Sequence, residues 1–442
     1  MPRSRRTSKL NRFVRIPYAA AGTLARIASA IAPKGNAKTA RSLNARRGIL
    51  QRYSYWGDIH RDRSRPLLWM HAPSVGEGLQ ALPVLTEFRA RHPEAQIVYT
   101  FFSPSAERFA SLLDADFTDY LPFDTSHAAE SVIASLKPTA IVFSKLDVWP
   151  VLVETAAHAG VKLGMLSATM PASSMRRSRV ARLALGDAYS MLDIVGAISD
   201  GDALRLIEAG VSPDRVMVTG DTRYDQAWQK AHGKTDAREE LLAPLKSSRF
   251  TMVAGSTWPS DEERLFPAWV AVKRRHRDAR LIVASHELGE DRLGVIESWA
   301  RSNALTFSRI DGARAGESDV VIVDRFGILG DLYALADVAY VGGGFRSAGL
   351  HSLLEPAAFG APVIIGPRHL DNRDAVLLVE AGGAVRCSDA DAMESQIMRW
   401  IDSEDALAAA QTAARETVRQ NLGAADRSVS LVESLVFGKA GF

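Results

Sequence analysis

In the stretch "HAPSVGEG", Glu77 stands between Gly76 and Gly78, just past an apolar run and at the head of a segment with helical spacing. A carboxylate whose neighbours carry no side chain can be approached closely by a substrate, the placement expected of a general base. A helix-start acid favoured by the dipole would sit there as well. Further on, "FSKLDVWP" supplies Asp147 and Trp149, a second carboxylate and an aromatic wall. "SATMPASSMRRSR" then adds Arg176, Arg177 and Arg179, suited to an acceptor carrying phosphates or to a solvated basic face.

The second set of chemical residues lies in "AYVGGGFRSAGLHSLLEPAAFGAPVIIGP", from Ala339 to Pro367. Gly342, Gly343, Gly344 and Gly349 fall within eight residues. A glycine-rich turn feeding a helix gathers unpaired N–H groups and the positive end of a dipole, which suit a phosphate. A tight turn alone would also explain the glycines. His351 and Glu355 are four apart, on one face of the helix that the spacing predicts. Glu355, among apolar and small residues, is placed to accept both hydroxyls of a ribose. In "VAGSTWPSDEERLF", Gly255, Ser256 and Thr257 offer N–H and hydroxyl donors after a strand, while Ser260 and Glu263 have the spacing of a capping box. "LIVASHELGED" puts His286 at another strand end, as a structural hydrogen-bonding group or a ligand contact. Neither half shows G-x-G-x-x-G after its first strand, which disfavours a dehydrogenase.

These residues require strands that end beside one another. From Pro66 onward, "PLLWM", "AQIVYT", "TAIVF", "VKLGML", "DIVGAI" and "DRVMVT" alternate with helical patterns. A second series, "FTMVAG", "ARLIVAS", "DVVIVD", "DVAYVGG" and "APVIIG", follows the polar stretch "QAWQKAHGKTDAREELLAPLKSS", read as a linker. Continuous apolar strands separated by helices signal parallel sheets covered on both faces. The fold class expected is therefore α/β, with two Rossmann-like doubly wound domains facing a cleft and ligands at the C-terminal ends of strands.

The 442 residues, 47% of them hydrophobic, suffice for two such domains. Cys387 is the sole cysteine, so no intrachain disulfide forms and a reducing compartment is expected. Thirteen of the 54 basic residues precede Asp58, the first acidic one, leaving 41 against 51 acidic residues beyond it. In this basic head, Leu10, Phe13, Val14, Ile16, Leu24, Ile27 and Ile31 alternate with cations, in the style of a helix lying in an anionic membrane surface. A transit peptide and a disordered tail are the other readings.

The collinear order of "HAPSVGEG", "VTGDTRYD", "GSTWPSDEE", "VDRFGILGDLY" and the glycine-rich stretch resembles the 3-deoxy-manno-octulosonic acid (Kdo) transferases of lipid A biosynthesis, from about Leu68 to Ala384. The resemblance implies a GT-B glycosyltransferase with a basic membrane-associating segment over 1–57 and an acceptor domain over 58–227. A CMP-Kdo domain over 228–403 and a helical segment over 404–442 that crosses back complete the expected plan. It implies Glu77 as catalytic base with Asp147 beside it, and Ser74, Gly76, Arg176 and Arg177 toward the acceptor. Toward CMP it implies Gly255, Ser256, Thr257, His286, Gly342, Gly343, Gly344, His351, Glu355 and Asn372. The partners implied are CMP-Kdo, a phosphorylated lipid A precursor and the cytoplasmic face of the bacterial inner membrane, with no nucleic acid. No cofactor is expected, and with no Asp-x-Asp pair read at a strand end, neither is a metal. Lys145 and Asp147 stand where many members carry two glutamates, and Ser285 where many carry an arginine. Two other readings stay open: a GT-B enzyme using another nucleotide sugar, and a catalytically idle nucleotide-binding protein attached to membranes.

Overall fold

The computed structural model of the chain describes residues 38–347 and 349–438. They form two compact units. One holds the chain up to Asp225 together with Gly423–Phe442, and the other holds Gln226–Leu422.

The first unit is built on seven parallel strands: β1 (Leu67–His71), β2 (Gln96–Phe101), β3 (Phe117–Tyr120), β4 (Ala140–Ser144), β5 (Lys162–Ala168), β6 (Ile194–Ala197) and β7 (Val216–Val218), in the order β3-β2-β1-β4-β5-β6-β7. Every residue of β1, β2 and β4 is buried, as expected of strands covered on both faces. The chain leaves β1 toward β2 on one side and later returns to pair β4 on the other, so strand order reverses between β1 and β4. This switch point is where sheets of this class place ligands. The register pairs His71 with Thr100 on one side and with Phe143 on the other, bringing the segments after β1 and β4 together.

The basic head divides differently from the sequence expectation. Residues 1–37, including the apolar positions read as a membrane helix, lie outside the described residues. From Arg46 onward the head belongs to the first unit's core. Tyr53, in the helix Ile49–Ile59, is fully buried and donates from its hydroxyl to the Tyr120 carbonyl at 2.8 Å. Trp56 stacks on Phe117 with centroids 5.3 Å apart. Among the described residues no helix is long and apolar enough to cross a membrane.

The C-terminal return begins at Gly423. The helix Glu404–Arg419 lies in the second unit, whereas Ala424–Phe437 lies in the first. The Asp225 carboxylate caps that last helix, accepting the N–H groups of Gly423 at 2.7 Å and Ala425 at 3.0 Å. Gly164 of β5 leaves room for this helix, since a Cβ there would meet the Leu435 side chain at 2.6 Å and displace it.

The second unit repeats the plan with β8 (Thr251–Thr257), β9 (Arg280–Ser285), β10 (Phe307–Arg309), β11 (Val320–Ile322), β12 (Val338–Val341), β13 (Val363–Ile365) and β14 (Ala384–Arg386), in the order β10-β11-β9-β8-β12-β13-β14. Its order reverses between β8 and β12. The Gly255 turn and the Gly342 turn therefore share one switch point.

Candidate functional site

Glu77 lies in the first turn of the helix Val75–Arg91, directly after β1, with its side chain 17% exposed. Ser74 does not cap the helix backbone; its hydroxyl donates to the Glu77 carboxylate instead. Lys145, just past β4, reaches the other carboxylate oxygen at 3.2 Å, and Ser144 Oγ donates to the Glu77 carbonyl at 3.1 Å. Burial alone would raise the Glu77 pKa, but the Ser74 hydroxyl and the Lys145 charge outweigh it, and the net shift is downward. The flanking glycines have separate reasons. A Cβ on Gly78 would meet Phe109 at 2.5 Å, so its bareness serves packing, whereas a Cβ on Gly76 would meet only Ser74 Oγ, at 3.9 Å. Only the Gly76 side is open as expected for an approaching substrate.

Asp147 shares this switch point. Its Oδ2 lies 3.4 Å from His71 Nε2 and 3.1 Å from Trp149 Nε1, and Oδ1 lies 3.5 Å from Arg176 Nη2. Thr100 Oγ1 accepts from Trp69 Nε1 at 2.8 Å and lies 2.9 Å from His71 Nδ1. Burial pushes the Asp147 pKa up, but the His71 hydrogen bond and charges around it bring the net shift down. The two arginines expected together diverge: Arg176 turns in to Asp147, and Arg177 turns out to Glu208 at 3.4 Å. An Asp-x-Asp pair does follow a strand, contrary to the sequence reading, since Asp200 and Asp202 come after β6. Asp202 is buried and engaged by the Met170 N–H at 2.8 Å and Arg205 at 2.9 Å. Among the described residues no three His, Cys, Asp or Glu side chains gather as a metal site requires.

In the second unit, Asp261 joins the two turns. Fully buried, it accepts the Trp258 N–H at 2.9 Å, the Gly343 N–H at 3.0 Å and the Tyr340 hydroxyl at 2.9 Å. The predicted capping box of Ser260 and Glu263 is therefore displaced by two residues, because the helix Pro259–Arg275 starts at its proline and Asp261 reaches back to its head. Gly342 donates to the Gly255 carbonyl at 2.9 Å. The N–H groups of Gly342 and Gly343 are thus engaged internally, not left unpaired for a phosphate. Close backbone approach explains the glycines: a Cβ on Gly342 would meet the Ser256 carbonyl at 2.2 Å, and one on Gly344 would meet Gly366 N at 2.5 Å.

His351 precedes the short helix Leu354–Phe359, so it does not share a helix face with Glu355. The structure instead sets it against Trp258, whose Nε1 donates to His351 Nε2 at 3.2 Å, and beside His286, with ring centroids 4.8 Å apart. Burial, His286 and Arg346 hold His351 below the usual histidine range. Glu355 accepts from Lys230 Nζ at 3.0 Å; that lysine sits in the helix Thr222–His232, within the stretch read as a linker. Thr257 Oγ1 donates to Glu262 at 2.7 Å, Glu262 pairs with Arg292, and Arg292 Nε reaches Ser285 Oγ at 3.3 Å. Asn372 caps the helix Arg373–Ala381, accepting the Ala375 N–H at 3.0 Å. Sequence reasoning missed Lys230, Trp258, Asp261, Arg292 and Arg346; Trp258, Asp261 and Arg346, inside recognised turns, carried a usable signal.

Two doubly wound parallel units, each with its polar side chains after the strands at a switch point, define a two-domain GT-B α/β fold. Solved structures agree: UDP-GlcNAc 2-epimerase from Neisseria meningitidis, bound to UDP-GlcNAc, superposes with a TM-score of 0.61 at 12% identity over 83% of this chain and all of that one. A glycosyltransferase from Rickettsia africae gives 0.53 at 13% identity over 85% of this chain. The family model described as 3-deoxy-D-manno-octulosonic-acid transferase (kdotransferase) matches residues 42–226. The 3-deoxy-D-manno-octulosonic acid transferase of Haemophilus influenzae is 25% identical over 88% of this chain and 91% of its own length, and that of Bordetella pertussis is 28% identical over 83% and 86%. The chain is thus similar to 3-deoxy-D-manno-octulosonic acid transferases over most of its length, and its residues 42–226 match that family's model.

Proposed function

We propose that the protein is an inverting glycosyltransferase that moves Kdo from CMP-Kdo to a hydroxyl of a phosphorylated lipid A precursor, with Glu77 as general base. The observation that carries this reading is the Glu77 carboxylate: held ionised by Ser74 and Lys145, it stands at the open Gly76 side of a helix start where strand order reverses. Glu77 takes the proton of the acceptor hydroxyl as that oxygen attacks the anomeric carbon, and the bond to the CMP phosphate breaks in the same step. Asp147, with Arg176 beside it, lies on the acceptor side. In the second unit, His286, His351 and the 255–257 turn face the nucleotide, with Glu355 toward the ribose and Asn372 at the neighbouring helix start. This reading assigns no cofactor and no metal, since CMP-Kdo is itself the substrate. It places the protein at the cytoplasmic face of the inner membrane, with the basic head toward anionic lipid.

Incubating the full chain with CMP-Kdo, generated in situ, and a tetraacylated bisphosphorylated lipid A precursor tests it by mass spectrometry. Mass gains of one or more Kdo units are expected. No gain, while a known transferase works alongside on the same dispersed lipid, would overturn the assignment.

A further inference from the structure

The cations around the switch point of the second unit differ in what they are free to do. Arg292 is 14% exposed and tied to Glu262 and Ser285. Arg264 pairs with Glu263 and lies over the Phe345 ring, 4.8 Å from its centroid. Arg346 is different. It projects from the glycine-rich loop with its guanidinium 3.5 Å from the centroid of the Trp258 ring, and no carboxylate pairs with it among the described residues.

A guanidinium lying on an aromatic face is held through that face, while its N–H groups at the rim remain directed outward in a planar fork. The same indole stacks on His286, with centroids 4.1 Å apart, and donates to His351 Nε2. A nitrogen that accepts from an indole N–H carries no proton, so His351 is neutral and supplies no positive charge here. The nearby negative charge, Asp261, is fully buried beneath three donors. The N–H groups of Gly342 and Gly343 are taken internally as well. Among the described residues, this edge offers a ligand the Arg346 cation on an indole platform, with His286 and His351 beside it.

We propose that Arg346, resting on Trp258, is the residue that grips the anionic part of the nucleotide-sugar donor. This rests on the donor reading given above. A donor of that class carries two oxyanions, the phosphate of the leaving nucleotide and the carboxylate of the sugar acid, and a planar fork suits either one.

The test titrates the full chain with CMP, UMP and cytidine, following tryptophan fluorescence, and measures KM for CMP-Kdo, in the native protein, Arg346→Gln and Arg346→Lys. If Arg346 holds the phosphate, Arg346→Gln weakens CMP by about tenfold or more and leaves cytidine unchanged, with Arg346→Lys in between. If it holds the sugar carboxylate, CMP affinity stays and KM for CMP-Kdo rises by a similar factor. Either outcome supports the anion grip. Unchanged CMP affinity together with unchanged KM overturns it, as does an equal loss for CMP and cytidine, which marks Arg346 as mere packing on Trp258. A native protein that prefers UMP overturns the CMP assignment alone, because comparing that nucleotide with its nucleoside still decides the role of Arg346.

Discussion

Lys145 places its ammonium 3.2 Å from the Glu77 carboxylate, from a backbone position with φ of 67° that a side chain rarely adopts. The left-handed turn after β4 aims the lysine back at the helix start after β1. A cation beside a general base has a definite sign: it favours the carboxylate and lowers the pKa, which agrees with the downward shift at Glu77 against its burial. If Glu77 is the base, it acts ionised, and the acid limb of kcat/KM against pH falls below the ordinary glutamate range. Lys145→Met moves that limb upward. A pH profile with the limb unmoved in the variant would separate Lys145 from the base. Stability follows the same sign: a carboxylate with a depressed folded pKa contributes stability above its unfolded pKa and loses it as pH falls through the folded value.

Glu77→Gln keeps the shape and removes the carboxylate proposed as base. Turnover should fall by about 10² to 10⁴. Nucleotide affinity should stay within twofold or so, since Glu77 and the residues proposed to hold the nucleotide belong to different units. Turnover by mass spectrometry and CMP affinity by calorimetry read the two separately. Equal activity of both proteins would remove Glu77 from the chemistry.

What was legible in the sequence follows burial. Strands covered on both faces wrote themselves as apolar runs, and all of the inner strands were read. Those missed were β3, β10 and β14, each at an edge of its sheet, short and incompletely buried, so that "FTDY", "FSR" and "AVR" show no continuous apolar pattern. Glu77 and the glycine turns stood out because glycine is rare in strand ends unless backbone crowds or bends there. The reason assigned to the glycines was wrong in part: they admit neighbouring backbone, and two of their N–H groups are already bonded. Lys230 was illegible because its partner Glu355 lies 125 residues away, and no local spacing announces such a pair.

Asp261 ties the Gly255 turn, the glycine loop and Tyr340 together through three donors. Asp261→Ala leaves the buried Gly343 N–H and Tyr340 phenol, and the partly buried Trp258 N–H, without that acceptor. Each buried donor left unsatisfied costs about 1 to 3 kcal/mol, so the variant should lose roughly 3 kcal/mol or more. Urea unfolding measures this through the midpoint. A loss under about 1 kcal/mol would mean that water replaces the carboxylate and that Asp261 does not organise the turns.

Gly330 lies where the Lys230–Glu355 pair passes: a Cβ there would fall 2.0 Å from Lys230 Nζ and 2.9 Å from Glu355 Oε1. The crowded atom is the tip of a flexible side chain, so Gly330→Ala is accommodated by moving Lys230 away. The cost to stability should stay within about 1 kcal/mol, the ordinary range for substitutions that open no cavity and strand no buried charge. Glu355, however, loses the partner that orients it. If Glu355 accepts the ribose hydroxyls, nucleotide affinity falls severalfold in Gly330→Ala, and it falls by a similar factor in Lys230→Met. Because both changes break one contact, the double variant should be no weaker than either single one, a non-additivity that a double-mutant cycle reads directly. Additive losses would mean that Gly330 and Lys230 act on the nucleotide independently, and that Lys230 has no part in holding Glu355 for it.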